Sequence, residues 1–275
     1  MASQLEKYGV RMVLSSSERK SGRLSGKKLS EALGELSEVG YVVIERAITK
    51  DLIEEIRINC DRALAKHMKI KTNQKRAQEN GGGHVGMFSP TTLPFMDQRI
   101  IENKFTVQIL KNAMDQDFFC TFYNTNTAWP GCGRQHVHRD TSHLFSDLPF
   151  SLPMHMAVVN IPLVDFTIEN GATEVWPGSH LITDISKDSK TLEAIAEGRP
   201  SLQTVMPAGS LVVRDMRMWH RGMPNNTISI RTMLALVYFR GFLNRDSEMT
   251  IPRSTWDQMS ENSKHLFRFN KIGRQ

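Results

Sequence analysis

Short strand-like segments separated by turn residues constrain the fold of this chain more than any other feature. Between Phe118 and Arg240 the apolar and β-branched runs are only a few residues long, and clusters of Gly, Pro and Asn separate them. Many short strands with this punctuation predict a β-sandwich or a barrel. The strand candidates are residues 118–129, 153–164, 201–205, 210–214 and 231–240.

Helices are predicted ahead of these strands. The spacing of apolar residues predicts one helix over Leu29–Val39 and a second over Lys50–His67, with Thr49 as the N-cap of the second. The β-branched run Tyr41–Ile44 between them predicts a strand. We therefore expect both helices to pack on the outside of a sheet.

Residues 78–94 carry no strand or helix pattern and are predicted to form a loop. Three glycines at positions 81–83 make its backbone permissive, so we expect a lid over a site, with His84 and Met87 facing inward. Partly helical segments are also predicted within residues 182–198 and 250–275.

The length and composition allow one packed domain. The chain has 275 residues, 40% of them hydrophobic, and all-β domains of this size are common. We interpret residues 1–275 as a single domain with a flexible N-terminus at 1–28, a core at 30–245 and a C-terminal cap at 246–275. No apolar run approaches the roughly eighteen residues of a membrane-spanning helix, and the N-terminus has no signal-peptide core. We predict a cytoplasmic protein, with mitochondrial and peroxisomal locations left open.

The distribution of charge indicates which class of molecule the protein binds, and the spacing of the cysteines indicates their redox state. The net charge is +6, but the Lys and Arg residues are spread along the chain, which favours an acidic small molecule over nucleic acid. Cys60, Cys120 and Cys132 form no CxxC pair and predict buried, reduced thiols. We expect a small-molecule substrate, no nucleic-acid or membrane partner, and leave a homodimer open.

Four residues suggest a metal site. His136, His138 and Asp140 have the spacing at which alternate residues of a strand face one side, and a barrel would bring His220 close to them. His138, Asp140 and His220 would form the facial triad of non-haem Fe(II) oxygenases. A cupin-like site would instead use His136, His138 and a later carboxylate. The third interpretation is that these are structural polar residues.

Arg231 suggests an anion site. It begins the apolar run Arg231–Val237, where an unpaired guanidinium is costly to bury. A carboxylate of a dicarboxylate cosubstrate would satisfy it with two hydrogen bonds. The alternatives are an arginine in solvent at a strand edge, and Arg240 as the anchor.

Several short motifs together resemble a known family. In order and spacing they resemble the phytanoyl-CoA dioxygenase family, over roughly residues 30–245. The resemblance is strongest to members that serve secondary metabolism, such as fungal meroterpenoid oxygenases and the bacterial kanamycin B dioxygenase. The motifs are Gln135-x-x-His138-x-Asp140, Asn170-Gly171-Ala172-Thr173, Trp176-Pro177-Gly178-Ser179-His180, Trp219-His220-Arg221-Gly222 and Arg231.

The resemblance implies a fold, cofactors and site residues. It implies a mainly β protein with flanking helices on a double-stranded β-helix, a jelly-roll core of the cupin type. It implies Fe(II), O2 and 2-oxoglutarate as cosubstrate. The iron ligands would be His138, Asp140 and His220, and 2-oxoglutarate contacts would come from Arg231, Gln135 and Thr173. Some relatives carry a hydroxyl residue two positions after the distal histidine, where this chain has Gly222.

The implied function is oxidation of a small organic molecule, with release of succinate and CO2. Related halogenases have a small residue at the position of Asp140, so its carboxylate indicates hydroxylation, desaturation or ring-forming oxidation. Secondary-metabolite biosynthesis is the expected setting. The alternatives are an acyl-CoA 2-hydroxylase of the phytanoyl-CoA type and a non-catalytic barrel that binds a metal or ligand.

Overall fold

The computed structural model describes residues 11–145, 147–183 and 189–274. Short strands recur through the middle of the chain, as predicted. Within the described ranges they are β1 Arg11–Val13, β2 Tyr41–Glu45, β3 His84–Phe88, β4 Phe118–Ala128, β5 Met156–Pro162, β6 Glu174–Val175, β7 Leu202–Gln203, β8 Leu211–Asp215, β9 His220–Arg221, β10 Arg231–Arg240, β11 Thr250–Ile251 and β12 Lys271–Ile272.

Two sheets form the body of the molecule. The larger has seven strands in the order β1-β2-β8-β5-β10-β4-β3, and the smaller has the order β7-β6-β9. In the large sheet β10 is central and pairs antiparallel with β4 on one side and β5 on the other. Strands far apart in the chain therefore lie side by side, which brings distant polar residues to one surface.

Strand alternation divides the core into two faces. On β10, Leu234, Leu236 and Tyr238 point to the main hydrophobic core, whereas Ala235 and Val237 belong to a separate inner cluster. This is the period of two expected of a strand covered on both sides. The outer face packs against helices, and part of the inner face packs against the small sheet.

Helices cover the outer face of the large sheet, as predicted. The longest one buries Leu52, Ile53, Ile56, Cys60 and Leu64 in the main core. The described helices are α1 Ser16–Ser21, α2 Gly26–Glu38, α3 Lys50–His67, α4 Lys71–Glu79, α5 Gln98–Ile101, α6 Lys104–Ala113, α7 Ser189–Glu197, α8 Arg253–Gln258 and α9 Glu261–Leu266.

Several predicted bounds are confirmed. The α3 helix and the β10 strand occupy the predicted residues, because both have strong periodicity and clear flanking signals. Thr49 precedes α3 in an extended conformation, but its side chain makes no capping hydrogen bond. The C-terminal segment packs onto the main core through Met249, Ile251 and Phe267.

Two predictions for the N-terminal half are wrong. Residues 84–88 are not loop, since β3 forms the edge of the large sheet and pairs with β4. His84 faces the inner side as expected, but Met87 lies in the main core on the other side. Residues 11–28, predicted as part of a flexible N-terminus, include β1, which pairs with β2, and α1, which Ser15 caps.

Some predictions stay predictions. Residues 1–10 lie outside the described residues. No helix within the described ranges is long and apolar enough to cross a membrane. The single-domain organisation, the cytoplasmic location, the homodimer and the lack of nucleic-acid and membrane partners remain as stated from the sequence.

Two glycine substitutions test the packing of this fold. Gly209 has φ +73° and an added Cβ would lie 2.8 Å from the Ile48 carbonyl oxygen. Gly209→Ala should lower the free energy of unfolding by at least roughly 1–2 kcal/mol. Gly34 lies in α2 with open space around it, so Gly34→Ala should raise that free energy by about 0.5–1 kcal/mol. Urea denaturation measures both, and equal effects would contradict the packing described for Gly209.

Candidate active site

Two histidines from distant parts of the chain are joined through their backbones. His138 donates its N–H to the carbonyl of His220 at 3.0 Å, and His220 returns the bond at 2.9 Å. The imidazole ring centroids lie 4.3 Å apart as a result. The strand β9 that carries His220 also pairs with β6, so the small sheet fixes this arrangement.

The Nδ1 atom of each ring faces a backbone carbonyl oxygen. The Nδ1 atom of His138 lies 2.9 Å from the His136 carbonyl oxygen, and Nδ1 of His220 lies 3.0 Å from the Met218 carbonyl oxygen. A carbonyl only accepts, so on His138 this contact favours hydrogen on Nδ1 and a lone pair on Nε2. On His220 the Met218 carbonyl favours the same form, while Nη1 of Arg214, 3.0 Å from Nδ1, competes with it as a donor. Metal-binding histidines are commonly oriented in this way.

Asp140 lies opposite both lone pairs. Its Oδ1 atom is 3.5 Å from Nε2 of His220 and 3.9 Å from Nε2 of His138. One potential ligand atom from each of the three residues lies within 4.8 Å of the others. Two imidazole nitrogens and one carboxylate oxygen are the donor set of non-haem Fe(II) sites, so these residues fit a divalent iron.

A buried arginine sets the charge of this cluster. Arg214, on β8, donates from Nη2 to Oδ2 of Asp140 at 2.8 Å and lies 3.3 Å from Nε2 of His220. Loss of water raises the pKa of Asp140, but His220 and Arg214 outweigh this effect and hold it well below its usual range. Burial, and then Arg214, lower the pKa of His220 to about 4. At neutral pH the carboxylate is ionised and the imidazole is neutral, as metal binding requires.

His136 does not join this cluster. Residues 136–140 form no continuous strand, and the His136 side chain is 87% exposed beside Glu193 of α7. Glu193 also accepts the Val137 N–H at 3.0 Å. The prediction that His136, His138 and Asp140 share one face is therefore wrong for His136. The cupin-like alternative loses a ligand for the same reason.

Arg231 is buried and has no ionic partner among the residues that the structure describes. Its side chain donates from Nη2 to the Gly171 carbonyl at 2.7 Å and lies over the Phe166 ring, with 4.7 Å from Cζ to the centroid. The Nε atom has no hydrogen-bond partner among the described residues. Burial lowers the pKa of Arg231 to about 10, so it remains charged at neutral pH. A buried cation with an unused donor suits an anionic ligand.

One cavity of about 350 Å³ connects the metal cluster with Arg231. The structure places all six predicted site residues in its wall: Gln135, His138, Asp140, Thr173, His220 and Arg231. The Gln135 amide accepts from the Gly222 N–H at 2.8 Å and donates to Asn80 at 2.7 Å. Another part of the lining is mainly apolar and consists of Phe122, Met156, Val158, Val237 and Phe239, with Arg245 over the Phe239 ring.

Sequence reasoning missed Arg214 as a site residue. It lies in the apolar run Leu211–Val213 and points to the inner face of the large sheet. The argument that identified Arg231, a charged residue inside an apolar strand, applies equally to Arg214.

Two proteins of similar sequence are named dioxygenases. The dioxygenase af480 of Aspergillus fumigatus is 23% identical over 255 residues, which are 89% of this chain and 78% of that protein. The dioxygenase FrzG of Cladobotryum sp is 30% identical over 149 residues, which are 51% of this chain and 47% of that protein.

A solved structure shares the fold. The non-haem α-ketoglutarate-dependent carbocyclase SnoK from nogalamycin biosynthesis superposes with a TM-score of 0.59 at 20% identity, over 79% of this chain and 84% of that chain. The predicted cupin-like fold, a double-stranded β-helix with flanking helices, is confirmed.

The family follows from the sequence itself. The model of the family described as Phytanoyl-CoA dioxygenase (PhyH) matches residues 36–233. This range includes every predicted metal and cosubstrate residue, from Gln135 to Arg231. The predictions of the family, the enzyme class and the cofactors are confirmed: the chain belongs to the phytanoyl-CoA dioxygenase family and is an iron- and 2-oxoglutarate-dependent dioxygenase.

Proposed function

We propose that this enzyme oxidises a small, largely apolar organic molecule in secondary metabolism, with His138, Asp140 and His220 as its iron ligands. The observation that carries the proposal is one cavity that joins a His-Asp-His cluster to a buried, unpaired arginine. The setting in secondary metabolism is supported by SnoK, a similar structure from nogalamycin biosynthesis.

The ligand roles follow from charge and hydrogen bonding. The Nε2 atoms of His138 and His220 would hold iron together with Oδ1 of Asp140, because the other polar atoms of these side chains are already bonded. Arg214 holds Oδ2 of Asp140, which leaves Oδ1 as the free donor. With iron bound, Nε2 of His220 would exchange its contact with Arg214 for the metal.

The cosubstrate roles follow from the cavity wall. Arg231 would bind the distal carboxylate of 2-oxoglutarate, since its side chain lines the cavity and its guanidinium keeps an unused N–H. Thr173 lines the same wall. Gln135 retains one amide hydrogen and one oxygen lone pair after its two bonds to Gly222 and Asn80. We propose both as further contacts.

The remaining side chains of the cavity would bind the substrate and keep water from the reaction. Iron(II) with 2-oxoglutarate supplies the activation of O2 and the oxidation of a substrate C–H bond, with succinate and CO2 as by-products. The apolar end, formed by Phe122, Val158 and Phe239 among others, would bind the substrate and exclude water. This chain has the carboxylate of Asp140 where related halogenases have a small residue, so we propose hydroxylation, desaturation or ring formation.

Two substitutions test the metal ligands. Asp140→Ala removes one of three ligands and should lower iron affinity by at least about 100-fold, because even indirect partners of a metal contribute on the order of 10- to 100-fold. His136→Ala should keep its iron, since that side chain is exposed and bonded to Glu193. Iron content after dialysis measures both. Retained iron in Asp140→Ala with lost iron in His136→Ala would support the cupin-like site instead.

Arg231 tests the cosubstrate and the enzyme class together. Arg231→Met should keep iron but weaken 2-oxoglutarate binding by about one to two decades, the contribution of a charged hydrogen bond. Arg231→Lys should be intermediate, because it keeps charge without the two-pronged geometry. Titration of the anaerobic Fe(II) charge-transfer absorbance measures the affinity.

Arg240→Met is the matched control. The Arg240 side chain bonds only the backbone carbonyls of Met154 and Ala113 within the described part of the chain, so its loss should leave 2-oxoglutarate affinity unchanged. Pyruvate, which lacks the distal carboxylate, should bind all variants alike. Equal 2-oxoglutarate affinity in Arg231→Met and the wild type would contradict the anchor. A wild-type protein with no absorbance band would contradict the proposed function.

A further inference from the structure

We infer that His84 is an additional cosubstrate-binding residue, which fills the space of the side chain that Gly222 lacks and contacts the distal carboxylate beside Arg231. The inference rests on the proposed function, because it assigns a ligand to the same cavity. It identifies how this chain compensates for the hydroxyl group that some relatives carry two positions after the distal histidine.

Sheet register places His84 next to the proposed anchor. Ala128 of β4 pairs with Arg231 of β10 on one side and with His84 of β3 on the other. Side chains of directly paired residues project from the same face of a sheet. The imidazole and the guanidinium therefore lie on either side of a single methyl group, and both line the cavity.

The imidazole occupies the space beside Gly222. A Cβ added to Gly222 would lie 2.5 Å from Cε1 and 2.7 Å from Nδ1 of His84. It would also lie 2.7 Å from Oε1 of Gln135, which is bonded to the Gly222 N–H. A side chain at position 222 and the His84 ring thus exclude each other, and each would present a polar group to the same part of the cavity.

Hydrogen bonding fixes the orientation of the ring. Nε2 of His84 lies 2.8 Å from the Gly133 carbonyl oxygen, so this nitrogen carries a hydrogen. Asn80 holds the backbone of the same residue by donating to its carbonyl at 3.2 Å. The residue is only 6% exposed, and Nδ1 has no hydrogen bond among the described residues. The free nitrogen faces Gly222 and is available to a ligand.

The protonation of the ring follows from its surroundings. Arg231 on β10 and His138 on the metal-site segment are the charged or titratable groups that act on it, with the Cys132 thiol at 3.5 Å. Burial first, and then Arg231 and His138, lower the pKa of His84, so the ring is neutral without an anion. A neutral ring with hydrogen on Nε2 cannot donate from Nδ1 to a carboxylate. Binding of the distal carboxylate would therefore take up one proton.

The test removes the His84 ring, adds a side chain at position 222, or does both. His84→Ala should weaken 2-oxoglutarate binding by about tenfold or more, while pyruvate affinity changes by less than about twofold. Gly222→Ser alone should also weaken binding, because it displaces the ring. The double variant His84→Ala/Gly222→Ser should recover most of the lost affinity, and His84→Ala/Gly222→Ala should not. Anaerobic charge-transfer titration measures each dissociation constant.

His180→Ala is the matched control. His180 is also a buried histidine whose Nε2 contacts a backbone carbonyl, that of Ser37 at 3.1 Å, but it does not line the cavity. It should leave 2-oxoglutarate affinity unchanged. Near-ultraviolet circular dichroism checks that every variant is folded.

His84→Gln provides a second measurement, because it keeps a hydrogen-bond donor but has no titrating proton. In the wild type the affinity for 2-oxoglutarate should fall by up to about tenfold per pH unit as pH rises from 6 to 8, since fewer rings are protonated. In His84→Gln this dependence should disappear, while both proteins bind pyruvate with the same pH profile.

Three results would overturn the inference. One is unchanged 2-oxoglutarate affinity in folded His84→Ala. Another is an equal loss of 2-oxoglutarate and pyruvate binding, which would make His84 a structural residue of the cavity wall. The third is a pH dependence that persists in His84→Gln. A wild type that binds no 2-oxoglutarate would instead contradict the proposed function.

Discussion

The active site depends on two reciprocal backbone hydrogen bonds between His138 and His220. They join an irregular segment to a two-residue strand, so neither histidine is positioned by a long regular element. The small sheet supports them, because β6 pairs with β9 and its Glu174 side chain bonds Arg221 at 2.6 Å. Arg221 in turn bonds Glu193 of α7 at 2.8 Å. The metal cluster is therefore supported by an ion-pair chain on the side away from the cavity.

Charge divides the cavity into parts with different chemistry. Arg214 is neutralised by Asp140, whereas Arg231 has no carboxylate partner in the described ranges. Burying an unpaired guanidinium is unfavourable, and the Phe166 ring and the Gly171 carbonyl offset only part of that cost. A dicarboxylate would therefore stabilise the folded protein as well as enter the reaction. The other end of the cavity is lined mainly by apolar side chains, with Arg245 5.7 Å from the centroid of the Phe239 ring, and suits the substrate.

The sequence predicted features that depend on local pattern. The strand β10, the helix α3 and the burial of Arg231 follow from periodicity and from one charge in an apolar run. The local sequence pattern did not predict features that depend on contacts between residues far apart in the chain. His136 points outward because Glu193 of α7 forms hydrogen bonds with both the His136 ring and the Val137 N–H. Residues 84–88 have little strand character of their own, and they become a strand because β4 offers a free edge.

Small residues in the middle of the large sheet give the cavity its depth. Ala128 separates His84 from Arg231, and in the same way Ala235 of β10 pairs with Asn124 on one side and Asn160 on the other. A methyl group leaves the polar groups on both sides free to reach a ligand, whereas a larger side chain would stand between them. The neighbours of Ala235 along β10, Leu234 and Leu236, pack in the main core. Successive side chains along β4 and β10 point to opposite faces of the sheet, so one set maintains the fold and the other lines the cavity. Substitutions in the cavity set can therefore alter ligand binding without altering the core.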